Sequence, residues 1–69
     1  SQPVLRLPDL NQSDFFIFLE KYDIKYIIIQ LDNLDNYNSE MSLSLFNKEN
    51  ITGLTLIYSN DHILIYETL

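Results

Sequence analysis

Two extended stretches of this chain carry apolar residues on both of their sides. In "IKYIIIQL", residues 24–31, strand alternation puts Ile24, Tyr26, Ile28 and Gln30 on one face and Lys25, Ile27, Ile29 and Leu31 on the other. The isoleucine run favours a strand, and apolar surface on both sides marks a central strand covered twice. In "LTLIYSNDHILIYETL", residues 54–69, two more strands flank a turn. A two-residue turn at Asn60-Asp61 pairs Ser59 with His62, Tyr58 with Ile63 and Leu56 with Ile65. One face of that hairpin then holds Leu54, Leu56, Tyr58, Ile63 and Ile65. The other holds Thr55, Ile57, His62, Leu64 and Tyr66.

Helical spacing appears near the N-terminus. In "NQSDFFIFLEKYD", Phe15, Phe18, Leu19 and Tyr22 recur at i, i+3, i+4 and i+7, one helix stripe. Asn11 or Ser13 supplies the N-cap, and Asp14 stands in the first turn, where a carboxylate suits the helix dipole. Phe16 and Ile17 widen the stripe, so this helix is expected to pack against more than one surface. Further on, "MSLSLF" alternates Met41, Leu43 and Leu45 with Ser42 and Ser44, which favours a half-exposed strand. Its competitor is a short helix capped by Asn38 or Ser39, with Met41 and Leu45 stacked at i+4. Gly53, the single glycine, suggests a bulge or a close backbone approach in its strand. "VLRL", between Pro3 and Pro8, is punctuated like a short edge strand.

These elements predict a small two-layer α+β domain, with one N-terminal helix packed on a mostly antiparallel sheet of about four strands. A short N-terminal edge strand is a further candidate. A helix of about 11 residues is roughly 16 Å long, and four strands span about 19 Å, so the helix covers one sheet face and leaves the other bare. A sheet curled into a barrel, a second helix over 41–46, or a partner would cover it. The leading expectation is a partner or another copy of the chain. Its contact residues are then Ile57, Leu64 and Tyr66, with Ile27 and Ile29 from the neighbouring strand. Leu56, Tyr58 and Ile65 form the complementary set, because alternation alone does not say which face the helix takes.

Composition narrows the function classes. At 69 residues the chain reads as a single domain over 1–69. A domain this small buries only about 60% of its unfolded surface and often leans on disulfides, a metal or a partner. There is no cysteine, which excludes disulfides and thiolate metal sites and fits a reducing intracellular compartment, cytoplasmic or nuclear. No apolar run nears the roughly 20 residues of a membrane-spanning helix. The start at Ser1 and the strand-like end at Leu69 fit a domain excised from a longer chain. Ten carboxylates outnumber three lysines and Arg6, for a formal net charge of −6. Such a field repels phosphate backbones and anionic lipid, so neither nucleic acid nor a membrane is an expected partner. It favours a basic protein surface, which motivates a second hypothesis: an acidic inhibitor that occupies a basic groove, of the kind that binds nucleic acid.

Candidate chemistry is thin. His62 is the single histidine, the residue type most often used as a general base or metal ligand, and it falls at the hairpin turn, where it reads as solvent-facing. "DNLDNYNSE", residues 32–40, offers oxygens, but Leu34 and Tyr37 interrupt calcium-loop spacing and the loop has no glycine. Tyr22, Tyr26, Tyr58 and Tyr66 would stack bases only beside a basic groove, so they read as core or interface residues. "NITGLTLIYSNDHILIYE", residues 50–67, resembles the strand-turn-strand of flavin-using blue-light sensors. That family places a glutamine beside the flavin on the second strand, where this sequence has Ile63 and Ile65. The resemblance is therefore one of hairpin and implies no cofactor. The chain reads as a non-enzymatic interaction or oligomerisation domain with no catalytic, metal or cofactor residues.

Overall fold

Asn11 caps the first helix of the computed structural model, which describes residues 11–37 and 39–69. Its side-chain oxygen accepts the Asp14 N–H at 2.9 Å, and helix α1 (Gln12–Lys21) buries Phe15 and Leu19. The helix closes in a Schellman turn. Asp23 N–H reaches Glu20 O, Ile24 N–H reaches Leu19 O at 2.9 Å, and Asp23 takes a left-handed φ of 50°. Strand β1 (Tyr26–Gln30) follows at once, with Ile27 and Ile29 buried and Tyr26, Ile28 and Gln30 exposed.

"MSLSLF" is helical, and the strand expected there is corrected. Helix α2 (Glu40–Phe46) starts from a reciprocal capping box: Ser39 Oγ accepts the Ser42 N–H, and Ser42 Oγ accepts the Ser39 N–H, both at 3.1 Å. Two backbone donors that a strand would have left for a neighbour are satisfied locally. Met41, Ser42 and Leu45 are buried on one side of the helix, a 3.6-residue pattern that hides inside the period-two alternation. A second Schellman closure ends α2, with Lys48 at φ 59°.

The sheet contains three strands among the described residues, not four, in the order β1-β3-β2 with β2 (Leu54–Ser59) and β3 (Ile63–Thr68). Both neighbours run antiparallel to β3, so β1 and β2 are parallel to each other and α2 bridges them across the central strand. The candidate edge strand over 4–7 lies outside the described residues. The hairpin register also differs from expectation. Asn60 Oδ1 accepts the N–H groups of His62 and Ile63, and Asn60 N–H donates to Ile63 O. This side-chain turn moves the two central residues to Asp61-His62 and pairs Ser59 with Leu64 and Tyr58 with Ile65. A bulge between Leu56 and Tyr58 then pairs Leu56 with Tyr66 and Leu54 with Thr68.

One hydrophobic core fills the space between the two helices and a single sheet face. It gathers Phe15 and Leu19, Met41 and Leu45, Ile51 and Leu54, and the strand residues Ile27, Ile29, Leu64 and Tyr66. Tyr66 donates its hydroxyl to Leu45 O at 2.7 Å, which ties the central strand to α2. Gly53 precedes β2 at φ 98°, with Phe16 packed so closely that an added Cβ would sit 2.9 Å from Phe16 Cε1. The close approach read from that glycine is present; the bulge is four residues further on, at Ile57.

Candidate protein-binding face

Both helices lie on one side of the sheet, and the other side has no covering element among the described residues. Strand pairing arranges that side in three rows. Ile28, Ile65 and Tyr58 form the middle row across all three strands. Tyr26, Glu67 and Thr55 form the row at one end, and Gln30 and Ile63 the row at the other. Ile28 keeps 60% of its surface exposed, Tyr26, Tyr58 and the bulge residue Ile57 are likewise exposed, and Ile63 and Ile65 are half-buried. Glu67 is the one charged side chain in these rows.

The contact residues expected from the sequence divide on this fold. Ile27, Ile29, Leu64 and Tyr66 are enclosed beneath α1 and α2, so on the folded chain they serve as core. Ile57 stays open. Of the complementary set, Tyr58 and Ile65 occupy the bare face, while the bulge turns Leu56 into register with the buried Tyr66. Tyr26, which the sequence offered as a core or interface residue, belongs to the bare face together with Ile28, which it did not single out. Their signal was the same alternation that marked Ile27 and Ile29, and nothing local to a strand says which parity meets the helices.

Electrostatics place the charges elsewhere. At the hairpin end, His62 Nδ1 lies 3.2 Å from Asp32 Oδ2, and both side chains are largely exposed. This pair joins the hairpin to the loop after β1, beside the Leu31 N–H to His62 O hydrogen bond. No nucleophile or third ligand completes it; among the described residues no three His, Cys, Asp or Glu side chains converge. Lys25 and Asp23 form a second exposed pair at 3.6 Å. In the core, burial and then the Glu49 carboxylate push the Tyr66 phenol above its ordinary 10.0. An open cleft of about 450 Å3 lies beside the end of α1, but its Thr68 hydroxyl already donates to Ile24 O, and Phe16 and Gly53 close its wall.

No family model, curated protein or solved structure matches this chain. Among the described residues, no helix is long and apolar enough to cross a membrane. The geometry of the sheet is thus the ground for a functional reading.

Proposed function

We propose that this chain is a small acidic protein-interaction or oligomerisation domain whose contact surface is the helix-free face of its sheet. The observation that carries the reading is the aliphatic and aromatic row Ile28–Ile65–Tyr58, open across all three strands. Three strands of about six residues make a footprint of roughly 14 by 20 Å, near 300 Å2 before side-chain relief. Contiguous apolar patches of a few hundred Å2 on small soluble domains commonly mark binding sites. Covering this one is worth at most about 7 kcal/mol per chain at about 25 cal/mol per Å2, before the costs of association, because Gln30, Thr55 and Glu67 take part of the footprint. The acids favour this reading over the basic-groove inhibitor. They are dispersed over both helices, the loops and the hairpin, and only Glu67 stands in the rows of the bare face.

A matched pair of isoleucines tests the proposal. Ile17 on α1 is 63% exposed and Ile28 on β1 is 60% exposed, in opposite layers of the fold. A photo-crosslinking residue placed at 28 in the full chain, in its native cells, is expected to give a protein adduct that the same residue at 17 does not. Equal adduct patterns from the two positions, or none from 28, would refute the interaction face.

A further inference from the structure

We infer that the occupant of the bare sheet face is a second copy of this chain, packed sheet to sheet with its strands reversed. The inference rests on the reading of that face as a contact surface and adds its partner and orientation. Charge selects the kind of partner. The chain carries a net charge of −6, yet the three rows of the face hold a single carboxylate, Glu67, amid Tyr26, Ile28, Thr55, Tyr58, Ile63 and Ile65. A basic partner would dock where acids are dense, and that is not here. The complementary surface is neutral and largely apolar, and a second copy presents one of matching width and row spacing.

The order of the rows selects the orientation. Central strand β3 runs from Ile63 at one end, through Ile65, to Glu67 at the other. A two-fold axis along the strands would stack Glu67 on Glu67 of the second copy, two like charges in a drying interface. An axis across the strands superposes the middle rows, Ile28–Ile65–Tyr58 on its counterpart, and sets Glu67 over the opposite end. There it meets Ile63 of the second copy, with the Gln30 amide one strand away as a hydrogen-bond donor. Sheets stacked face to face pack about 10 Å apart with strand directions near alignment, which the reversed arrangement satisfies. The result is a four-layer assembly with helices outside and two sheets within.

Area sets the strength. About 300 Å2 per copy is well under the roughly 800 Å2 per partner of a standard stable interface, so self-association is weak, with Kd on the order of 10 to 100 µM. Because both copies are acidic, added salt screens their repulsion and tightens the dimer.

Sedimentation equilibrium of the full chain, from about 1 µM to about 1 mM and at low and high NaCl, tests this. The expected result is a monomer–dimer equilibrium that strengthens with salt and weakens at least tenfold in Ile28→Lys and in Tyr58→Lys, each checked for folding by circular dichroism. Single cysteines read the orientation under mild oxidation: an Ile63→Cys chain mixed with a Glu67→Cys chain is expected to form the mixed disulfide, and a disulfide between two Glu67→Cys chains in its place would overturn the reversed orientation. A chain monomeric at 1 mM overturns the second copy as occupant. Should crosslinks from position 28 then capture a protein of another mass, the contact face itself would stand. Nuclear Overhauser contacts from Ile28 or Ile65 methyls to residues 4–7 of the same monomer would give the face to the chain's own N-terminal segment, against both proposals. A dimer indifferent to both lysine variants would place self-association elsewhere and likewise refute the inference.

Discussion

Ile28 and Ile29 are adjacent, identical in chemistry and opposite in environment, so truncating each in turn measures the two sides of the sheet. Ile29 is 0% exposed, packed between the central strand and the helices, whereas Ile28 is 60% exposed. Ile29→Ala removes three carbons from a closed core, a change that costs about 2 to 5 kcal/mol. A domain of this length has roughly 3 to 10 kcal/mol in hand, so that loss alone brings it near or past the unfolding threshold. For Ile28 only about two-fifths of the burial term is at stake, and truncation forfeits less than about 1 kcal/mol of the 1.5 to 3 that full burial provides. In a small domain each kcal/mol moves Tm by about 4 to 8 °C. Ile29→Ala should therefore fall by at least 8 °C, and Ile28→Ala by only a few degrees.

The assay is urea and thermal unfolding followed by far-ultraviolet circular dichroism at a few micromolar, where association is negligible. Repeated at several hundred micromolar, the wild-type Tm is expected to rise, because ligation of the folded state adds stability by mass action. The Ile28→Ala chain should rise much less. Equal large costs for the two truncations at low concentration would mean that this chain covers Ile28 by itself, and the interaction face would be refuted. A reversed order of costs would mean that the sheet presents its other side to the helices.

Three further outcomes probe how the fold is held. Gly53→Ala adds a methyl 2.9 Å from Phe16 Cε1 at a backbone φ of 98°, and should cost about 1 to 3 kcal/mol by thermal unfolding. Combining it with Phe16→Leu is expected to recover part of the loss, the clash but not the backbone strain. Ser39→Ala removes the α2 cap and a 2.8 Å hydroxyl contact with the buried Ser42, at about 1 to 2 kcal/mol in the same assay. Tyr66→Phe should cost about 0.5 to 1.5 kcal/mol near neutral pH, because Leu45 O keeps the Lys48 N–H as a donor. Its pH profile is the sharper readout. A phenol raised by burial and by Glu49 keeps its full contribution below its ordinary 10.0 and loses it as pH climbs through the higher folded-state value. Wild-type stability should thus fall more steeply than that of Tyr66→Phe above pH 10 in urea titrations.

The helix α1, the strand β1 and the hairpin were legible because each advertises itself locally. Asn11 with the Phe15–Leu19 stripe and the isoleucine run have few rivals over their lengths. Helix α2 was not, since the five alternating residues Met41 to Leu45 satisfy a strand while Met41 and Leu45 satisfy a helix equally well. The deciding contacts are the two serine hydroxyls of the capping box; Ser39 stood in the sequence as one of two candidate caps, but Ser42 looked like the polar side of an alternating strand. Losing that segment to a helix reduced the sheet to three strands and gave its inner face a second helical cover. The bare face was foreseen as a shortage of cover, but its membership was not. Opposite parities of β1 are both apolar, and only the packing of Phe15, Leu19, Met41 and Leu45 decides that Ile27 and Ile29 go inward.

The bulge at Ile57 joins that packing problem to the proposed function. Moving the turn to Asp61-His62 shifts the expected hairpin register by two residues, which leaves every side chain on its former face. Inserting one unpaired residue between Tyr58 and Leu56 does the opposite and reverses the remainder of β2. Tyr58 consequently stays beside Ile65 on the open side, while Leu54 and Leu56 enter register with Thr68 and Tyr66 on the helix side, where Leu54 is buried. Without the bulge, β2 would send Leu54, Leu56 and Tyr58 the same way. Either the core would lose Leu54, or the outer row would end at Ile65. One extra residue thus supplies both surfaces from a single edge strand, and β-bulges serve in this way to redirect side chains. Deletion of Ile57 tests this. With the extra residue gone, plain alternation places Leu56 beside Tyr66 and Tyr58 beside Ile65. The chain should then fold with an uninterrupted hairpin that keeps both the Leu54 contact and the Tyr58 end of the row, and a collapse of thermal stability would refute this account of the bulge.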